Sequence, residues 1–251
     1  MQSKIGNMYQ SVKKDLHNNR KVLFSRTSCQ IGGLYNFLGH DDEKLLTVDI
    51  ICFGVPSPKI YRDYINITEK KYNSKILDIN FRDRTKGWQN SSTKIKFADD
   101  AIKYLKPSND NEWYRIFISH ITTRESCNNC LYTSTDRKAD ITIGDFRGIE
   151  NIDKDLDTTY GVSKILVNTE KGSKLFSTIL PLYDVKKRKM KDAIRPNLVR
   201  PPKKNKNKNR DEFFQTYNVQ GFIKAYNKFV KEKFLNRVKI RGKIKAFINM
   251  K

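Results

Sequence analysis

Apolar residues recur every fourth position at Met8, Val12 and Leu16, which predicts a helix that stops at Asn18-Asn19. Val22 to Ser25 is then a short apolar run of strand length, and VLFSRTSCQIGGLYNFLG continues it as strand, loop and helix. Asp41-Asp42 interrupts the chain before a second buried strand, LLTVDIICFGV, at residues 45–55. Pro56-Ser57-Pro58 opens a helix through Ile60, Tyr61, Tyr64 and Ile65, because proline is tolerated in a first helical turn.

The pattern changes period after that helix. ILDINFRDR (76–84) and STKIKFAD (92–99) alternate apolar and polar positions around a Gly-containing connection, which predicts a hairpin with one wet face. Trp113 to His120 is helical in spacing and runs toward two cysteines. ADITIGDF (139–146) is strand-like, and GVSKILVNTEKGSKLFSTIL (161–180) is strand, tight turn and helix. Strands alternating with helices predict an α/β fold, a mixed sheet with flanking helices. Ligands in such sheets bind beyond the carboxyl ends of strands, which singles out Ser25 to Gly33, Cys52 to Pro58 and Gly144 to Gly148.

Charge changes the picture at the C-terminus. The chain has 251 residues, 37% of them apolar, and a formal charge of +23. Residues 186–251 hold 22 Lys/Arg against 4 Asp/Glu, whereas residues 1–185 hold 28 against 23. We therefore divide the chain at 185/186 into an α/β domain and a basic C-terminal extension. KKRKMK (186–191) and KKNKNKNR (203–210) flank Pro196, Pro201 and Pro202, which exclude regular helix there and predict an extended linker. Phe213, Phe214, Tyr217, Phe222, Ile223, Tyr226, Phe229, Val230, Phe234 and Val238 then return near helical spacing with lysines between, a basic amphipathic helix. Its apolar stripe suits a core, an acidic membrane surface or an acidic partner. No zinc-finger, RNA-binding-sheet or helix-turn-helix spacing accompanies it, which disfavours nucleic acid.

No run approaches the ~20 apolar residues that cross a bilayer, and the N-terminus lacks the apolar core of a secretion signal. The expected compartment is the cytoplasm, with peripheral membrane attachment open through the basic extension. Four cysteines do not make a disulfide scaffold in a chain of this length. Cys29, Cys52, Cys127 and Cys130 all fall at or near the predicted loops, the last two as a C-x-x-C pair in ESCNNC. Four thiols of this kind suit a tetrahedral zinc or an iron-sulfur cluster, although gaps of 22 and 74 residues match neither a ferredoxin run nor a zinc ribbon. A buried cysteine such as Cys52 also serves as a small apolar residue.

Taken in order, VLFSRTSCQIGGLYNFLG, LLTVDIICFGVPSPKIYRDYI, INFRDRTKGW, ESCNNCLYTSTDRKADITIGDFRGI, LVNTEKGSKLF and PNLVRPPKKNKNKNRDEFFQTY resemble successive blocks of the coenzyme F420 hydrogenase/dehydrogenase beta-subunit family. They correspond to its C-terminal domain, in the bacterial branch associated with polysaccharide biosynthesis. The resemblance implies an iron-sulfur flavoprotein, in which a 4Fe-4S cluster held by Cys29, Cys52, Cys127 and Cys130 exchanges electrons with FAD, and FAD with a deazaflavin or another two-electron acceptor. Flavin contacts are expected from Arg82, Lys86 and Gly87 in the FRDRTKGW loop and from Gly144 and Asp145 at a strand end; a solvated hairpin tip and a turn cap are the structural alternatives.

The sequence departs from that family at Arg26-Thr27-Ser28-Cys29, where the usual block reads GTPC, at Phe53 in place of His, and at Arg147 in place of an aromatic residue. Family members generally carry a ferredoxin-like segment and a further domain before the block where this sequence begins. The expected partner is thus a ferredoxin-like donor or a chain that supplies the missing N-terminal domain. The alternative is a truncated, non-catalytic accessory module that binds a partner or an acidic surface through its basic extension. His17, His40 and His120 lack catalytic surroundings.

Overall fold

Four helices and five strands fill the first half of the chain in the computed structural model, which describes residues 4–106, 111–193 and 207–232. In order they are α1 (Met8–His17), β1 (Val22–Thr27), α2 (Ser28–Leu38), β2 (Leu45–Ile50), α3 (Pro58–Tyr72), β3 (Ile76–Asp83), β4 (Ser92–Phe97), β5 (Ile102–Leu105) and α4 (Glu112–Ser119). The single-turn helix α5 (Glu125–Asn128), β6 (Ile141–Asp145), β7 (Ser163–Val167), α6 (Glu170–Ile179), the single turn α7 (Met190–Ala193) and α8 (Arg210–Tyr226) follow. The chain forms two compact units, each assembled from separated stretches.

One unit contains residues 4–53 and 129–193. Its four-stranded sheet has the order β1-β2-β6-β7; β1 and β2 are parallel, β2 and β6 are parallel, and β7 runs antiparallel to β6. This is the expected mixed α/β sheet. One face carries Phe24 and Leu45, which form a core with Val12 and Leu16 of α1 and Ile31, Leu34 and Leu38 of α2. The other face carries Leu23, Ile50, Ile143, Ile165 and Val167, each more than a third exposed.

The second expected strand is shorter than its apolar run. Gly54 has φ +95, and Pro56 has no N–H to give a ladder, so β2 ends at Ile50. The helix expected after the first strand begins without a loop, at Ser28, which puts Cys29 in its first turn.

The other unit contains residues 54–106, 111–128 and 207–232. The expected hairpin is β3 and β4, joined antiparallel. A third strand, β5, extends it beyond an Asp99-Asp100 turn in which Asp100 takes φ +61 and the Phe97 N–H donates to Ala101 O. That turn was the available signal for β5; four residues with three exposed side chains give no usable periodicity.

Much of the core of this unit comes from the basic C-terminal stretch. Phe213, Tyr217, Phe222, Tyr226, Phe229 and Val230 are buried with Ile60, Tyr64, Trp113, Ile116 and Ile121. The expected helix therefore exists, and it uses its apolar stripe as core. It is not continuous: Gly221 takes φ +81 and ψ 176, and a π-helical turn, Asn227–Lys231, follows Tyr226. The break has a packing reason. Phe213 and Tyr217 share one helical stripe, whereas Phe222, Ala225, Tyr226 and Phe229 form a second in a new phase, and only a residue without Cβ adopts the linking conformation cheaply. Phe234 and Val238 lie outside the described residues. No helix among the described residues is long and apolar enough to cross a membrane.

Candidate functional site at the carboxyl edge of the parallel strands

The register of β1 and β2 sets the geometry of the cysteines. Thr27 and Ile50 are the last paired residues of these parallel neighbours, and Cys29 and Cys52 each stand two residues beyond. Both are exposed, and none of the four cysteines is in a disulfide. Thr27 Oγ1 and Cys29 Sγ lie 3.4 Å apart in a hydrogen bond, and the Thr27 hydroxyl also donates to Gln30 Oε1 at 2.9 Å.

Cys130 belongs to the same unit, and its loop is fastened there. The Tyr132 N–H donates to Cys130 Sγ at 3.4 Å. The Tyr132 ring lies so close over α2 that a Cβ on Gly32 would collide with its hydroxyl and its ring carbons. Gly32 is thus fixed by packing rather than by backbone conformation. Arg137 closes the loop: its Nη1 donates to Tyr132 O at 2.8 Å, while Nη2 donates to Ser28 Oγ at 2.5 Å and to Asp49 Oδ2 at 2.8 Å. The side chains of this ion pair are 5% and 0% exposed, so each charge depends on the other for compensation.

Cys127 lies in the other unit, on α5. Its surroundings are tied to the chain that follows Cys52: Pro56 bridges Thr123, the Ser57 N–H donates to Thr122 O and the Arg124 N–H to Val55 O. A Cβ on Gly54 would lie 3.8 Å from Cys127 Cβ.

These segments also carry orphaned polar atoms. Arg26 Nε, Asp49 Oδ1, Arg137 Nε, Thr122 Oγ1 and both amide atoms of Asn128 are buried and find no hydrogen-bond partner among the described residues. Orphans of this kind are rare in native chains and mark sites where water, an ion or a bound group completes the bonding. In chemistry, thiols beside unsatisfied polar atoms fit a metal or iron-sulfur centre. In arrangement, no group of three or more His, Cys, Asp or Glu side chains among the described residues is gathered to hold a metal ion.

The expected flavin residues fall on different units. Arg82 is the penultimate residue of β3, with its N–H bonded to Asn80 Oδ1 at 2.9 Å, and Lys86 and Gly87 occupy the turn beyond, where Gly87 takes φ +84 and donates to Arg84 O. Asp83 shapes that turn by accepting from the Thr85 hydroxyl at 2.8 Å. Arg82 and Lys86 are exposed.

Gly144 and Asp145 end β6. Ile51 lies over Gly144, where a Cβ would meet its Cδ1 at 2.8 Å, and Arg147 approaches Asp145 at 3.9 Å.

Sequence reasoning passed over Arg137 and Lys164. A signal existed for the first: Asp49 inside an apolar strand requires a buried cation. Lys164 pairs in register with Gly144, is 3% exposed, and donates from Nζ to Ala193 O at 2.9 Å. Burial, reinforced by the charge of Arg137, draws its amine down to about 8. The unfolded chain holds that proton to about pH 10.4, so between these values it binds more protons than the folded chain, and stability rises with pH. Urea midpoints should climb between about pH 8 and 9.5, and Lys164→Met should flatten the climb; an identical slope in the variant contradicts this assignment.

The family described as the C terminus of the beta subunit of coenzyme F420 hydrogenase/dehydrogenase matches residues 19–192. No curated protein matches. Among solved structures, a chain of the F420-reducing NiFe hydrogenase complex from Methanosarcina barkeri is similar with a TM-score of 0.46 and 14% identity, over 87% of this chain and 68% of that one. With more than two thirds of its length matched by that family, this chain belongs to the coenzyme F420 hydrogenase/dehydrogenase beta-subunit family and corresponds to its C-terminal part.

Proposed function

We propose that the chain is an electron-transfer subunit in which the thiolates of Cys29, Cys52, Cys127 and Cys130 hold a 4Fe-4S cluster that serves FAD and, through it, a deazaflavin or another two-electron acceptor. When bound, the cluster supplies one-electron transfer and the flavin couples it to two-electron chemistry. The observation that carries this reading is the matched offset of Cys29 and Cys52, two residues past the paired ends of adjacent parallel strands. Adjacent strands are about 4.8 Å apart, so the first turn of α2, which follows β1 directly, and the segment after β2 leave from the same edge with their cysteines in step. Cys130 is anchored to that edge through Tyr132 and Arg137, and Cys127 is its C-x-x-C companion.

The chain's own residues then have definite tasks. The Tyr132 N–H donates to the sulfur of Cys130, and a hydrogen bond to sulfur raises a cluster's reduction potential; the Thr27 hydroxyl lies 3.4 Å from the sulfur of Cys29 and would do the same on turning its proton from Gln30 to that sulfur. Arg82 and Lys86 put positive charge beside a glycine turn suited to a pyrophosphate. A redox partner chain completes the reading. The sheet face bearing Leu23, Ile50, Ile143, Ile165 and Val167 is an apolar surface of the kind a second polypeptide covers.

A second reading, an accessory module that keeps the fold without redox chemistry and docks through its basic extension, is favoured by the thiols as they stand, no three of which are gathered among the described residues. One experiment separates the two. Purified anaerobically and reconstituted with iron and sulfide, the chain should carry about four of each, the content of the proposed cluster, together with flavin, and Cys130→Ser should lose the cluster absorbance. Equal iron in Cys130→Ser and the parent refutes the ligand set, and a parent with neither iron nor flavin establishes the accessory reading.

A further inference from the structure

We infer that Arg137 is the positioning residue of the cysteine-bearing edge, the side chain that sets the mutual spacing of the Cys29, Cys52 and Cys130 segments; this rests on the ligand set proposed above. Its guanidinium donates to Ser28 Oγ, one residue before Cys29, to Ile50 O at 3.4 Å, two residues before Cys52, and to Tyr132 O, two residues after Cys130. Its counter-ion, Asp49, is on β2 itself. Three segments far apart in sequence thus converge on one planar group, and the offsets to the cysteines are one or two residues in every case.

The choice of residue has a physical reason. A guanidinium presents five donors in a rigid plane and bonds several acceptors at fixed angles, whereas an ammonium is a point donor on a flexible stem. Lysine can keep the charge pair with Asp49 but cannot hold Ser28, Ile50 and Tyr132 in one plane. The Arg137 side chain is 5% exposed, so water does not substitute for the lost bonds at low cost. Arg137 bonds no cysteine sulfur among these contacts; it acts through the backbone and side chains next to the thiols.

The probe is Cd²⁺ alone, titrated anaerobically into the reduced full-length chain and followed by thiolate-to-metal charge-transfer absorbance. This readout does not depend on cluster assembly or on activity. The parent should bind one Cd²⁺ through at least three thiolates. Arg137→Lys should keep the parent's far-UV circular dichroism and bind Cd²⁺ at least tenfold more weakly.

The double variant Asp49→Asn with Arg137→Gln removes both buried charges together, which a fold tolerates better than losing one, and should show the same weakening. Variants that melt lower yet bind Cd²⁺ as tightly as the parent would make Arg137 merely structural and overturn the inference, as would a parent that engages fewer than three thiolates. A parent that binds Cd²⁺ through three thiolates, loses this with Arg137→Lys and still assembles no iron-sulfur cluster supports the role of Arg137 and refutes the cluster reading.

Discussion

Replacing Asp140 by alanine is expected to cost about 3–5 kcal/mol, the range for removing one partner of a buried charged network. Asp140, the residue immediately before β6, is 1% exposed. Its Oδ2 accepts from the Thr47 N–H at 2.7 Å and the Thr47 hydroxyl at 2.8 Å, and its Oδ1 accepts from the Thr169 hydroxyl at 2.7 Å with Lys171 Nζ at 3.8 Å. One carboxylate therefore joins β2, β6 and the N-cap of α6.

Alanine would leave three donors unanswered, the two of Thr47 buried and that of Thr169 partly so, and asparagine would turn an N–H toward another N–H or hydroxyl donor, so Asp140→Asn should recover little. Thr169→Ala removes only one contact and the cap of α6, and should cost about 1–2 kcal/mol. Urea unfolding followed by far-UV circular dichroism gives all three values; an Asp140→Ala midpoint within error of the parent would show that the network carries no net stability.

Phe213→Ala is the second large effect, about 3–5 kcal/mol for a fully buried phenylalanine. Phe213 is 0% exposed, and its ring lies 6.3 Å from Tyr217 and 6.2 Å from Phe229 in the cluster that holds Trp113. Trp88 and Trp113 are the chain's two tryptophans and both belong to this unit, so fluorescence reports its unfolding. The fluorescence midpoint should fall steeply in Phe213→Ala, while Val219→Ala, at an 82% exposed position of the same helix, should leave it in place. Equal effects at the two positions would mean that the helix is an appendage rather than core.

That helix shows what the amino-acid pattern conveys and what it hides. The division at 185/186 follows charge, and charge is a surface property. The apolar stripe of α8 contained the opposite message, since five of its residues, together with Phe229 and Val230 of the π turn, are buried with Ile60, Tyr64, Trp113, Ile116 and Ile121. The strands of 5–6 residues, and the helices opened by Pro58 or closed by Gly39, were legible because their signals are local. The extent of β2 was not, because its apolar run continues to Val55 whereas the strand stops at Ile50.

Cys29 and Cys52 could be placed at strand ends from sequence alone, but their common edge required the β1–β2 register, and the clamp beside them required a contact between Arg137 and Asp49, 88 residues apart. Such a contact has no periodicity to detect. Its only trace is a carboxylate inside an apolar strand.

The discontinuous stretches that make each unit have a consequence for biogenesis. β2 can pair with β6 only after the whole of residues 54–128 has been synthesised between them, and the core around Trp113 waits for α8 still later. Closing so long a loop slows folding through its entropy, although each doubling of length adds only about 0.6 kcal/mol. A chain emerging from its N-terminus must therefore keep the open edge of β2 unpaired through most of translation, the interval in which a holding chaperone has the most to protect.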